Sequence, residues 1–177
     1  MKNRCILASV LSAFALIGVA NAQSSSGNLG VSANVQGSIN LTFVTDGSGI
    51  AVTGTTTSTA SLPFSNVQMY GGSVPGNVTK TLHGTTSFDL VTPFDVRVDL
   101  ANSASANYAL TALLATPDAT NTWTIGTNNL SAGLTASAIG TAVSYGSAVA
   151  YTLTLNVPSG ESAGSISNSI GFTATAN

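Results

Sequence analysis

His83 is the only imidazole in this 177-residue chain, and so the only side chain whose ordinary pKa falls near neutrality. A hydrolase would use it as the base beside a nucleophile and an orienting acid. It lies in Thr81-Leu82-His83-Gly84-Thr85, and although serines abound no Gly-x-Ser-x-Gly elbow occurs. His83 therefore reads as an ordinary loop or strand-end residue. A glycosidase would need two facing carboxylates. The sole glutamate, Glu161, sits in Pro158-Ser159-Gly160-Glu161-Ser162-Ala163-Gly164, which is turn chemistry. No two titratable residues show a spacing that secures acid–base geometry, so the chain is expected not to be an enzyme.

Metal and cofactor chemistry are equally sparse. One His cannot build a zinc or copper site alone. Asp95 and Asp99 share a strand face but stand about 13 Å apart by strand rise. Asp118-Ala119-Thr120-Asn121 offers two oxygen side chains without the glycine and closing Glu of a calcium loop. No metal or cofactor is expected. Lys80 could in principle form an isopeptide bond with an Asn, but nothing at its spacing supports one. Trp123, the single Trp, is the candidate for stacking on a glycan; the competing reading places it in the core.

The elements that would position these residues follow from composition. Only 6% of the chain is charged, whereas 24 Ser and 24 Thr supply small hydroxyls. So few Lys and Arg cannot neutralise many phosphates, which argues against nucleic acid. The 44% apolar content argues against disorder, and the scarcity of Glu, Lys and Arg argues against a helical bundle. Lys2 and Arg4, an apolar run to Ala20 and the small-x-small site Ala20-Asn21-Ala22 predict a signal peptide over residues 1–22. That run is too short for a membrane span, and no second one follows. The expected product is secreted, through the periplasm to the cell surface or beyond. It would carry two cations against six carboxylates and lack Cys5, the only cysteine. About 155 residues suffice for a core without disulfides.

Residues 23–37 read as a Ser-rich flexible leader that continues into a strand. From Leu29 to Val44 apolar and polar residues alternate, the mark of a strand with one buried face. At ~3.4 Å per residue this is about 50 Å, far beyond a usual strand. Splitting it at Gly37 leaves residues 38–45 as the first strand of a domain over 38–177. The comb Val31, Ala33 and Val35 would then pair either within its own sandwich or on a neighbour's open edge. Asp46-Gly47 predicts a hairpin turn with Ile50 to Thr59 returning. Short strands are expected within Leu62–Tyr70, a strand pair or bent strand over Phe88–Leu100 in which Pro93 marks an edge or a break, and strands at Tyr108–Ala115 and Thr122–Ile125. Tyr151–Val157 and Ile166–Ala176 would form a terminal hairpin. The sum is an all-β chain, one antiparallel immunoglobulin-like Greek-key β-sandwich.

The alternating N-terminal segment, together with Val157-Pro158 and Ala163-Gly164-Ser165-Ile166-Ser167-Asn168-Ser169-Ile170-Gly171-Phe172-Thr173-Ala174-Thr175-Ala176, resembles bacterial pilin-type and spore-coat-U-like secreted proteins. The resemblance implies an incomplete immunoglobulin-like sandwich completed by a neighbour's N-terminal strand. Two functions follow as expectations. The first is a structural subunit of a surface fibre, coat or matrix that associates with itself or related subunits. The second is a secreted glycan-binding or adhesive module.

Overall fold

The computed structural model describes residues 28–54 and 59–177. The expected signal peptide and the start of the leader lie outside these residues, as does part of the expected strand Ile50–Thr59. The chain divides into two units, Met1–Asn34 and Val35–Asn177. The described part of the first, residues 28–34, carries no secondary structure and is exposed.

The second unit is all β. Among the described residues nine strands run in chain order: β1 Ser38–Val44, β2 Thr79–His83, β3 Ser87–Ala101, β4 Asn107–Leu114, β5 Thr122–Ile125, β6 Asn128–Asn129, β7 Ser137–Ser144, β8 Ala148–Pro158 and β9 Ile170–Ala176. Every strand pairing is antiparallel. One sheet has the order β1-β3-β8-β5-β6, with β2 also on β3; the other has the order β7-β4-β9. Among the described residues there is no helix, and none long and apolar enough to cross a membrane.

Period-two patterning builds the shared core, because alternate strand residues face opposite sides. On β3, Phe88, Leu90, Phe94, Val96 and Val98 are buried, and Asp89, Asp95, Arg97 and Asp99 take the other parity. On β4, Tyr108, Leu110, Ala112 and Leu114 are all wholly buried. Each such aliphatic side chain contributes about 1.5–3 kcal/mol.

Pro93 does not break β3. The strand pairs with β8 along its whole course, but on its other edge β2 covers Thr79–His83 against 87–91 and β1 covers Ser38–Val44 against 95–101. Pro93 falls in the gap between them. Its carbonyl faces that gap, where the backbone of Gly49 passes so closely that a Cβ there would lie 2.0 Å from the carbonyl oxygen. The N–H that proline lacks would point the same way, so no ladder bond is lost. Thr92 bridges the gap: its Oγ1 accepts from Ile50 N at 3.0 Å and donates to Asn77 O at 3.1 Å.

The same close approach overturns the expected hairpin after β1. The turn forms, with Gly49 N donating to Asp46 O and Ser48 N to Asp46 Oδ1. It then sends the chain across the β3 gap instead of back along β1. Residues 50–54 and 59 contain no strand, only an isolated bridge from Thr53 to Ser61. The short strands expected within Leu62–Tyr70 are likewise absent. The terminal hairpin also fails to form, for a topological reason. Both edges of β8 are taken, by β3 and β5, so β9 crosses to the second sheet and pairs with β4.

Candidate functional site: an open cleft between β1 and β9

The two sheets differ in width, and the difference leaves a cleft. The second sheet has three strands, so it cannot cover the whole inner face of the first. The uncovered part is a space of about 1410 Å³. Its floor includes Leu41 and Phe43 of β1 and Leu90 and Phe94 of β3; residues 164–172, leading into β9, form one wall. A smaller hollow of about 180 Å³ lies at the far end of the same seam, between Ile39 and Ala176. Phe172 ties the two sheets together across the seam. Its ring meets Phe43 edge-to-face at 5.1 Å and Phe94 at 5.8 Å, and such pairs add about 0.5–1.5 kcal/mol each beyond burial.

Among the described residues, β1 pairs only with β3 and β9 only with β4. The cleft is therefore bracketed by two strands whose outer edges carry unmatched ladder groups, an arrangement that accepts a further strand. Residues 59–68 form the remaining wall. Ala60, Leu62 and Phe64 turn toward the core, while Ser61 and Pro63 turn to solvent.

Trp123 lines the cleft from the core, 6% exposed, so its ring is not on the surface. Its Nε1 donates to Asp118 Oδ2 at 2.8 Å. Asp118 also accepts from Thr120 N, Asn121 N and Asn121 Nδ2. Burial pushes the Asp118 carboxyl upward, but the bonds from Trp123, Asn121 and Thr120 outweigh that and hold it below the usual carboxylate range. Its oxygens are occupied by donors and pin the Trp123 loop.

The other candidates are dispersed. Val31 is 85% exposed, in the first unit with the exposed Ala33; Val35, in the second, is 69% exposed, and none belongs to a strand. His83 Nε2 lies 2.8 Å from Asp89 Oδ2, and Asn156 Nδ2 donates to Asp89 Oδ1 at 2.6 Å, a polar row across β2, β3 and β8. Lys80 Nζ donates to the carbonyls of Gln68 and Gly71. Asp99 pairs with Arg97. Burial, and then the neighbouring Asp46 charge, raises the pKa of Asp95, and its Oδ1 is buried without a donor. Glu161 caps the turn after β8 through N–H to Pro158 O. Among the described residues no three His, Cys, Asp or Glu converge as a metal site would require.

Sequence reading missed the cleft itself. The parity of Ile170, Phe172 and Ala174 was visible, but which strands they meet is decided by long-range pairing, and the inward comb Ala60, Leu62 and Phe64 was not read.

No protein-family model, curated protein or solved structure matches this chain. The cleft is read from its own geometry.

Proposed function

We propose that this chain is an exported, non-catalytic structural subunit of a bacterial surface fibre, coat or matrix, with an incomplete immunoglobulin-like Greek-key sandwich. Its copies join by strand exchange: residues 29–36 of one copy enter the cleft of the next. One observation carries this reading, the cleft between the unpaired edges of β1 and β9, with Leu41, Phe43, Leu90 and Phe94 on its floor. The exposed comb Val31, Ala33 and Val35 supplies an occupant of matching period.

Of the two edges, β9 is the one the reading selects. A strand added to β1 would widen a sheet that is already the wider, and would bury little. A strand added to β9 would give the narrower sheet a fourth member over the uncovered floor. Residues 29–36 are long enough to span the seven residues of β9 and contain no proline.

The test is deletion of residues 23–36 from the exported protein, followed by size exclusion and negative-stain microscopy. The intact protein should form filaments or ladders, and the deletion should remain monomeric or clump through its exposed edge. An intact protein that stays monomeric at high concentration, with the amides of 29–36 protected from exchange, would refute the proposal.

A further inference from the structure

We infer that residues 60–69 are a strap that walls the cleft in the lone subunit and must swing aside before an incoming strand can seat on β9; this rests on the strand-exchange reading of the same cleft.

The strap carries the same comb as the proposed occupant. Ala60, Leu62 and Phe64 alternate inward in the way that Val31, Ala33 and Val35 alternate in sequence. The strap therefore packs its apolar side against the core beside the cleft floor, as a strand would. It does not make a strand's backbone bonds. Among the described residues its ladder contact is the single bridge in which Ser61 and Thr53 exchange N–H to carbonyl bonds, both at 3.2 Å. Pro63, at the centre of the comb, has no N–H to give a ladder. Ser65 sits at φ 58°, a left-handed backbone that non-glycine residues adopt at a cost. Side-chain packing holds the strap in place, whereas proline and strain keep it from becoming a ladder strand. Residues 29–36 offer the same packing plus a full ladder, and so would win the exchange once the strap moves.

Two fastenings hold the strap. At one end, Ser61 bonds to Thr53, next to the buried Val52. At the other, Lys80 Nζ reaches from β2 to the carbonyls of Gln68 at 3.0 Å and Gly71 at 2.7 Å. The strap is thus pinned at both ends and held between them by the packing of Leu62, Phe64 and Val67 on the core.

The experiment uses the full chain in a Cys5→Ser background and a fluorescent peptide of residues 29–37, with uptake followed by anisotropy on the monomer fraction. Lys80→Met, and Leu62→Ser with Phe64→Ser, should each speed uptake at least tenfold. Thr53→Cys with Ser61→Cys places two thiols at a bridge whose Cα separation, about 5.5 Å, admits a disulfide. Oxidation should slow uptake at least tenfold, and reduction of the same sample should restore it. If the Leu62 and Phe64 variant does not fold, the reversible disulfide decides alone. Equal uptake by its oxidised and reduced forms would overturn the strap and leave strand exchange standing. No uptake by any form would overturn strand exchange itself.

Discussion

Val31→Asp separates the cost of assembly from the cost of folding. In the lone chain Val31 is 85% exposed, so a carboxylate there stays solvated and the change falls within the ±0.5 kcal/mol usual for surface sites. In a neighbour's cleft the same side chain would meet a floor of Leu41, Phe43, Leu90 and Phe94. An unpaired charge there costs several kcal/mol. Taking about 4 kcal/mol, the subunit–subunit constant falls about a thousandfold, at 1.4 kcal/mol per decade. Ser32→Asp, one residue along and on the opposite parity, would point away from the cleft and is the control. The assay pairs thermal melting of monomer with analytical ultracentrifugation across concentration. Val31→Asp should melt with the wild type and fail to assemble, and Ser32→Asp should do neither harm. If the two variants assemble alike, the comb is not what enters the cleft. If Val31→Asp unfolds the monomer, residues 29–36 belong to their own domain.

Gly49→Ala should destabilise by about 1–3 kcal/mol, because its Cβ would sit 2.0 Å from Pro93 O in a closed gap; urea titration checks this. Tyr108 Oη is buried without a partner, and burial, then Tyr151 and Tyr145, push its pKa up to about 12. Tyr108→Phe should therefore gain about 1 kcal/mol, raising Tm by a few degrees, and should blunt the loss of stability between pH 10 and about 12; a lower Tm would mean that the hydroxyl is needed. Asp118 and Asp95 should show opposite pH slopes. The lowered pKa of Asp118 stabilises above the ordinary value of ~3.9 and is lost as pH falls through the folded value, so Asp118→Asn should melt lower at pH 7 and converge with wild type in acid. The raised pKa of Asp95 costs stability above the folded value, so Asp95→Asn should melt higher at pH 7 and converge as pH falls below ~3.9.

Local pattern was legible wherever a strand buries one face. β5 runs Thr122–Ile125 as expected, β4 and β8 lie where Tyr108–Ala115 and Tyr151–Val157 placed them, and β1 starts at Ser38, directly after Gly37. Three strands escaped notice, among them the two-residue β6, too short to carry a pattern. β2, Thr-Lys-Thr-Leu-His, is largely exposed and has no alternation to read. β7, Ser-Ala-Ile-Gly-Thr-Ala-Val-Ser, mixes small residues with Ile139 and Val143 and is bent where Ala142 takes φ 53° and the register to β4 slips.

Partners were harder to read than strands, for a physical reason. Alternation says which side of a strand is buried but not which strand lies beside it. Ile170, Phe172 and Ala174 would serve equally in a hairpin with β8; only the occupied edges of β8 send them to β4. Pro93 likewise signals a break when read alone, and becomes an ordinary strand residue once β1 and β2 leave a gap opposite it. The cleft compounds these choices. It exists because one sheet is wider than the other, and that width depends on β3 being long enough to hold two strands end to end on one edge. Alternation from Phe88 to Leu100 was visible, but not that it forms one continuous strand of fifteen residues, Ser87–Ala101. A strand that long commits its sheet to more inner face than three opposing strands can cover, and the uncovered remainder falls beside β9, the last strand of the chain.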